Sequence, residues 1–218
     1  MLDNQGKQIL VTGGTGGLGL GVVPVLLASG AELTLTYRQE EELAVLRQRL
    51  PASALDRVRF VQVDLLDETT VARVIADLPR VDGLIHLVGG FAMGPTHEYS
   101  LADWRRDFDL NLTTTFLACK HSLRKMWQQG YGRIVTVGSR GAVEPGSQLA
   151  AYCASKAGVV ALTRTIASET QGTDITANVI LPSIIDTPAN RAAMGLSLIH
   201  ISEPTRLLSI SYAVFCLK

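Results

Sequence analysis

The sequence predicts an α/β protein built on a doubly wound parallel sheet with helices on both faces. Three observations carry this. Short strand-like runs alternate with helical stretches along most of the chain. The strand segments are nearly continuous apolar runs, as expected where both faces of a sheet are covered. A glycine-rich turn leaves the first strand and opens the first helix, an arrangement suited to a nucleotide pyrophosphate.

The elements follow in order. Gln8–Thr12 is a short apolar strand that runs straight into glycines. Leu18–Ser29 is an apolar helix stopped by Gly30. Pro24 inside it predicts a bend, because an internal proline removes a hydrogen bond and costs on the order of 3 kcal/mol. Glu32–Tyr37 alternates Leu33, Leu35 and Tyr37 with threonines, a second strand, and Glu40–Leu50 is charged and helical. Val58–Val63 is a third strand closed by Asp64; Thr69–Leu78 is helical; Gly83–Val88 is a fourth strand ending at Gly89-Gly90. Trp104–Gln128 reads as one long helix, Arg133–Val137 as a strand, Tyr152–Thr170 as a helix and Ile175–Leu181 as a further strand.

Composition narrows the class. The 218 residues suit one domain, and 47% hydrophobic with 18% charged residues is enough to bury a core. Lys+Arg and Asp+Glu both number 20, so no net charge steers the chain to nucleic acid or an anionic membrane. Cys119, Cys153 and Cys216 form no CxxC pair, which favours reduced thiols and a cytoplasmic setting. The N-terminus has no apolar signal core and no run is long enough to span a bilayer. His97, His121 and His200 are scattered singles, so no metal site is expected.

The glycine turn reads Thr12-Gly13-Gly14-Thr15-Gly16-Gly17-Leu18-Gly19. No Gly-Lys-Ser/Thr follows, which excludes a Walker loop. Between a strand and a helix, the turn lets a pyrophosphate approach the helix amides. An Asp or Glu at the end of the second strand would favour NAD, but the chain has Tyr37 and Arg38 there. Arg38 can clamp a 2′-phosphate, so NADP is preferred and NAD is possible. The alternative for Arg38 is a solvated side chain paired with Glu40, Glu41 or Glu42.

Tyr152-Cys-Ala-Ser-Lys156 places Tyr and Lys one helical turn apart. A nearby ammonium favours the phenolate and lowers the tyrosine pKa, making Tyr152 a workable acid/base. Ser139 follows the Arg133–Val137 strand at its carboxyl end, where parallel sheets place ligands. Its hydroxyl can hold a substrate oxygen against Tyr152.

With these residues in register the chain resembles the short-chain dehydrogenase/reductase family, a Rossmann-type fold. Thr12, Gly13, Gly17 and Gly19 match its Thr-Gly-x-x-x-Gly-x-Gly, Asp64 its adenine-side Asp, and Asn111 its catalytic Asn. Ser139, Tyr152 and Lys156 match its Ser and Tyr-x-x-x-Lys, and Pro182-Ser183-Ile184-Ile185-Asp186-Thr187 matches its Pro-Gly-x-Ile-x-Thr. The resemblance implies hydride exchange between NADP(H) or NAD(H) and a small-molecule carbonyl/alcohol pair. Tyr152 would be the proton donor or acceptor. Lys156 would lower its pKa and hold the nicotinamide ribose, and Ser139 would position the reacting oxygen. Asn111 would keep a kink in its helix and support a water leading to Lys156, and Thr187 would face the nicotinamide amide. Further cofactor contacts are implied at Leu18, Leu65, Gly89, Pro182 and Ile185, together with a homo-oligomer, dimer or tetramer. A non-catalytic dinucleotide-binding regulator is the rival reading; it has no need of Ser139, Tyr152 and Lys156 in register.

Two positions depart from the family pattern. His86-Leu87-Val88-Gly89 stands where the family has Asn-Asn-Ala-Gly, and Ser183 replaces a glycine. A satisfied strand histidine is the expectation for His86.

After Met194 the pattern ceases. Back-translation of Leu196–Arg206 and of Ile210–Leu217 resembles the two ends of an adapter used to build sequencing libraries, with Leu207–Ser209 where an index would lie. Residues 1–195 are therefore expected to be an incomplete dinucleotide-binding catalytic domain and 196–218 a non-native tail. A sheet lacking its last strand would leave an open edge and uncovered apolar surface, for which low solubility, or an inactive fragment, is expected.

Overall fold

The computed structural model describes residues 3–183, 185, 190–191 and, as backbone, 210–214. Seven strands form one sheet in the order β3-β2-β1-β4-β5-β6-β7. They are β1 (Gln8–Thr12), β2 (Glu32–Tyr37), β3 (Val58–Gln62), β4 (Gly83–His86), β5 (Gly132–Val137), β6 (Ile175–Pro182) and β7 (Ile210–Val214). The first six are parallel, and the order reverses between β1 and β4. That reversal opens a crevice at the carboxyl ends of the strands, where such sheets bind ligands.

The helices are α1 (Gly19–Ala28), α2 (Glu40–Arg49), α3 (Ala52–Leu55), α4 (Glu68–Ala76), α5 (Leu101–Phe108), α6 (Thr114–Gln129) and α7 (Ala150–Glu169). Adjacent residues of β1 serve opposite faces. Leu10 joins a core with Val71 and Ile75 of α4, Leu117 and Met126 of α6 and Ile166 of α7. Ile9 and Val11 join Val23 and Leu27 of α1 and Leu46 of α2. Pro24 lies inside α1 without ending it. The short α3 starts behind Pro51, whose φ of −64° suits a helix entry; it was not expected from the sequence.

Helices cover both faces of the parallel sheet, as predicted. Along β5 and β6 buried residues alternate with half-buried ones, leaving Val135, Val137 and Ile180 half-exposed. The one difference from the predicted sheet is at its edge. The sheet was expected to stop at β6, yet the backbone of β7 pairs antiparallel with it, from Val179 opposite Val214 to Pro182 opposite Ile210. An edge strand offers a row of unpaired amides and carbonyls with which the backbone of another segment can pair. Among the described residues no helix is long and apolar enough to cross a membrane.

The long helical stretch divides at the site. Ser100 caps α5 by accepting from the Asp103 amide at 3.0 Å, so the helix begins before Trp104. A π-helical turn, Asp109–Thr113, then joins α5 to α6. Three threonines follow from that register. Thr114 Oγ1 donates to the Leu110 carbonyl at 2.7 Å and Thr115 Oγ1 to that of Asn111 at 2.5 Å, while Thr113 Oγ1 donates to the Asp109 carboxylate at 3.0 Å. Hydroxyls thus take up carbonyls that a wider turn leaves less well paired. The bulge turns Asn111 inward, where it is fully buried.

Candidate active site

Asn111 sits at the centre of a clamp. Its Nδ2 donates to the carbonyls of Gly90 and Asp107, both at 2.9 Å, and its Oδ1 accepts from the Gly90 amide at 3.1 Å. The side chain thereby fixes the loop that leaves β4. Gly89 is required beside it, because a Cβ there would lie 2.8 Å from Asn111 Oδ1 and 2.9 Å from Lys156 Nζ. The two polar atoms therefore converge on one stretch of backbone, although 45 residues separate them in the sequence (156 minus 111).

Lys156 is almost wholly buried on α7, and its ammonium donates to the Val137 carbonyl at 2.8 Å. Burial lowers its pKa to about 8. One turn earlier Tyr152 is half-buried, with its ring tilted 59° to that of Phe91 at 5.7 Å. Phe91 was missed from the sequence, since a lone aromatic in a loop carries no signal of what it will touch. Burial raises the Tyr152 pKa, and interaction with the Ser139 hydroxyl opposes the rise. This corrects the expectation that Lys156 depresses the phenol. Its ammonium donates to the Val137 carbonyl and is not among the groups that shift Tyr152. Ser139 is itself buried at the end of β5, and its Oγ accepts from the Gly141 amide at 3.1 Å.

His86 closes the floor. It is buried, with Nδ1 2.7 Å from Thr12 Oγ1 and Nε2 3.4 Å from Thr114 Oγ1. The Thr114 proton goes to Leu110, so the geometry assigns the hydrogen to Nε2 and makes Nδ1 the acceptor of the Thr12 hydroxyl. Desolvation, reinforced by the Lys156 charge, lowers the His86 pKa to about 3. It is the satisfied histidine the sequence suggested. The unfolded chain binds a proton in the window from about 6.5 down to about 3 that the folded chain refuses. Stability therefore falls as pH drops through that window and is retained above it, with a slope of at most about 1.4 kcal/mol per pH unit. Urea unfolding followed from neutral to acid pH should show a shallower acid limb in His86→Asn than in the unsubstituted chain. Parallel limbs would refute the assignment.

The glycine turn lies at the opposite side of the crevice. Gly13 has φ +72°, and a Cβ on Gly19 would overlap the Gly14 carbonyl oxygen. Gly16 and Gly17 are exposed at the turn and Leu18 is half-buried. Arg38 is exposed at the end of β2, and its backbone carbonyl accepts from Gln62 Nε2 at 3.0 Å. Two of the three acids offered as its partners are engaged elsewhere, Glu40 accepting from the Tyr37 hydroxyl at 2.6 Å and Glu42 from Thr15 at 2.9 Å, and Glu41 is exposed. Asp64 follows β3 and accepts from the Leu66 amide at 3.0 Å, with Leu65 half-buried beside it. Pro182 ends β6, and the Ile185 carbonyl accepts from Asn190 Nδ2 at 2.7 Å. Thr187 lies outside the described residues. Among those residues no group of three or more His, Cys, Asp or Glu is placed to hold a metal. Cys119 and Cys153 are free and buried.

A parallel sheet covered by helices on both faces, with a glycine turn at its switch point, defines a Rossmann-type α/β protein. The chain belongs to the short chain dehydrogenase family, whose model matches residues 7–194. It is 31% identical over 193 residues to D-threitol dehydrogenase of Mycolicibacterium smegmatis, covering 87% of this chain and 74% of that one. It is likewise 31% identical over 188 residues to 2-dehydro-3-deoxy-L-rhamnonate dehydrogenase (NAD(+)) of a Sphingomonas species, covering 84% and 74%. Among solved structures, an oxidoreductase of the short chain dehydrogenase/reductase family from Burkholderia thailandensis superposes with a TM-score of 0.77 at 32% identity, covering 86% and 72%. The family consists of oxidoreductases that bind nicotinamide dinucleotides and act on small molecules.

Proposed function

We propose that the chain carries the active site of an NADP(H)- or NAD(H)-dependent carbonyl reductase or alcohol dehydrogenase, with Tyr152 as general acid/base. The observation that supports this most is the meeting of Tyr152, Ser139, Lys156 and Asn111 around the ends of β4 and β5. A regulator that only binds dinucleotide has no need of that group. The residues present fit such a cofactor: the glycine turn keeps side chains off its backbone, and Gly89 leaves the Lys156 ammonium uncovered by any Cβ. The bound nicotinamide supplies or accepts the hydride.

The protein's own residues do the rest. Ser139 donates a hydrogen bond to the substrate oxygen and holds it beside the Tyr152 hydroxyl. Because burial raises the phenol pKa, Tyr152 is protonated at neutral pH and ready to give its proton to a carbonyl oxygen as the C–O π bond breaks. The alcohol oxygen returns the proton in the opposite direction. Lys156 presents its ammonium to the nicotinamide ribose, and Asn111 holds the β4 loop in shape around it. Thr187 would face the nicotinamide amide. Arg38, free of any carboxylate partner among the described residues, favours the 2′-phosphate of NADP.

The division into a catalytic unit, 1–195, and a foreign tail, 196–218, belongs to the same reading, as do a cytoplasmic site of action and assembly of the parent into a dimer or tetramer. Exposed Phe116 and Trp127 on α6 support the assembly. The decisive assay follows oxidation of NADPH and NADH by absorbance against a panel of ketones, aldehydes and polyols. Turnover with any of them is expected. Tight nucleotide binding with no turnover on the whole panel would favour the regulator instead.

A further inference from the structure

One side-chain bond joins the glycine turn to the first turn of α2. The Thr15 hydroxyl donates to Glu42 Oε2 at 2.9 Å. Thr15 is buried and Glu42 half-buried, so this carboxylate is held on the turn rather than waving in solvent. Its neighbours differ. Glu41 is exposed, and Glu40 is taken by the Tyr37 hydroxyl. Arg38, at the same end of β2, has no carboxylate partner among the described residues. The crevice side of β2 therefore carries a cation on the strand end and an anion anchored to the phosphate-binding turn, and the two are not paired with each other.

In a doubly wound sheet the adenosine ribose lies between the glycine turn and the end of the second strand, where an acid reads a 2′-hydroxyl and an arginine reads a 2′-phosphate. We infer that Glu42, anchored by Thr15, is a specificity-determining residue that opposes the 2′-phosphate Arg38 attracts, so the site accepts both forms of the dinucleotide. This rests on the dinucleotide-binding reading above. A carboxylate is an acceptor only: it can take a hydrogen bond from a ribose hydroxyl but repels a phosphate in a partly desolvated place. It thus does from α2 what the missing acid after Tyr37 would have done from β2. The Thr15 bond matters because it prevents the carboxylate from swinging away when a second anion approaches.

Calorimetric titration of the full chain with adenosine 2′,5′-bisphosphate and with adenosine 5′-monophosphate isolates the effect without turnover. The unsubstituted chain should prefer the bisphosphate by no more than about tenfold. Glu42→Gln should tighten the bisphosphate by about tenfold and leave the monophosphate within about twofold. Glu41→Gln, the same charge change on an exposed neighbour, should alter both by less than about twofold. Equal shifts for the two ligands in Glu42→Gln, or the same selectivity from Glu41→Gln, would overturn the inference and leave the dinucleotide reading intact. So would a preference of about a hundredfold for the bisphosphate in the unsubstituted chain. If that chain binds neither adenosine ligand, nor NADP(H), nor NAD(H), the dinucleotide reading falls and this inference with it.

Discussion

Tyr152→Phe is expected to lower kcat for carbonyl reduction by about 10²–10⁴-fold while nucleotide affinity and melting temperature barely change. The substitution removes one hydroxyl and keeps the ring packed against Phe91. Unchanged turnover would end the proposed mechanism. The pH dependence has a definite sign. Reduction needs the phenol, which burial holds above its ordinary pKa, so its rate should stay level through neutrality and fall only as alkaline pH removes that proton. Oxidation of an alcohol needs the phenolate and should rise over the same range. Lys156 adds a second limb. Its ammonium is lost near about 8, so nucleotide KM should climb above that pH in either direction of reaction. Steady-state profiles for Tyr152→Phe and the unsubstituted chain, with kcat and KM resolved, check all three.

Gly19→Ala should abolish nucleotide binding and cost about 1–3 kcal/mol of stability. The added methyl would run into the Gly14 carbonyl, which is backbone and has no rotamer by which to escape. Either α1 moves away from β1 or the turn opens, and both misplace the amides at the helix start. Chemical denaturation gives the stability change, and quenching or enhancement of reduced-nicotinamide fluorescence gives the binding. Gly21→Ala is the control, because a Cβ there meets nothing within contact distance. A Gly19→Ala protein with native melting and native affinity would show that the turn does not require this glycine.

Much of the fold was legible because the strands are short and apolar and the breaks between them are glycines. β1 and β2 fall where the sequence placed them, and α1, α2, α4, β5, α7 and β6 fall within a few residues. What failed was local in appearance but tertiary in cause. Trp104–Gln128 has the periodicity of one helix, and no propensity marks a π turn at Asp109–Thr113. The turn persists because Asn111 is drawn to Gly90, a partner on another element, and because Thr114 and Thr115 cap the carbonyls nearby. The resemblance anticipated a kink there; periodicity did not.

The Tyr152 pKa departs from the expected direction for a related reason. A Tyr-x-x-x-Lys spacing puts two residues on one helix face but says nothing of what else competes for the ammonium. In the fold the ammonium donates to the Val137 carbonyl, and desolvation of the phenol is the largest cause of its shift. Glu42 shows the same limit. From the sequence it was one of three acids offered as partners of Arg38; in the fold it accepts from Thr15.

The sequence by itself determined the alternating parallel architecture and the glycine turn, and it singled out Ser139, Tyr152 and Lys156 as candidates, because each is written in local spacing or in residue type. Only the tertiary structure decided which partners those groups meet: Gly90 for Asn111, Val137 for Lys156, Thr12 for His86, Thr15 for Glu42, and β6 for the backbone of β7. The reason is the short range of hydrogen bonding and desolvation. Both act over a few ångströms, and the atoms that come that close are chosen by how the sheet and helices pack rather than by their order along the chain.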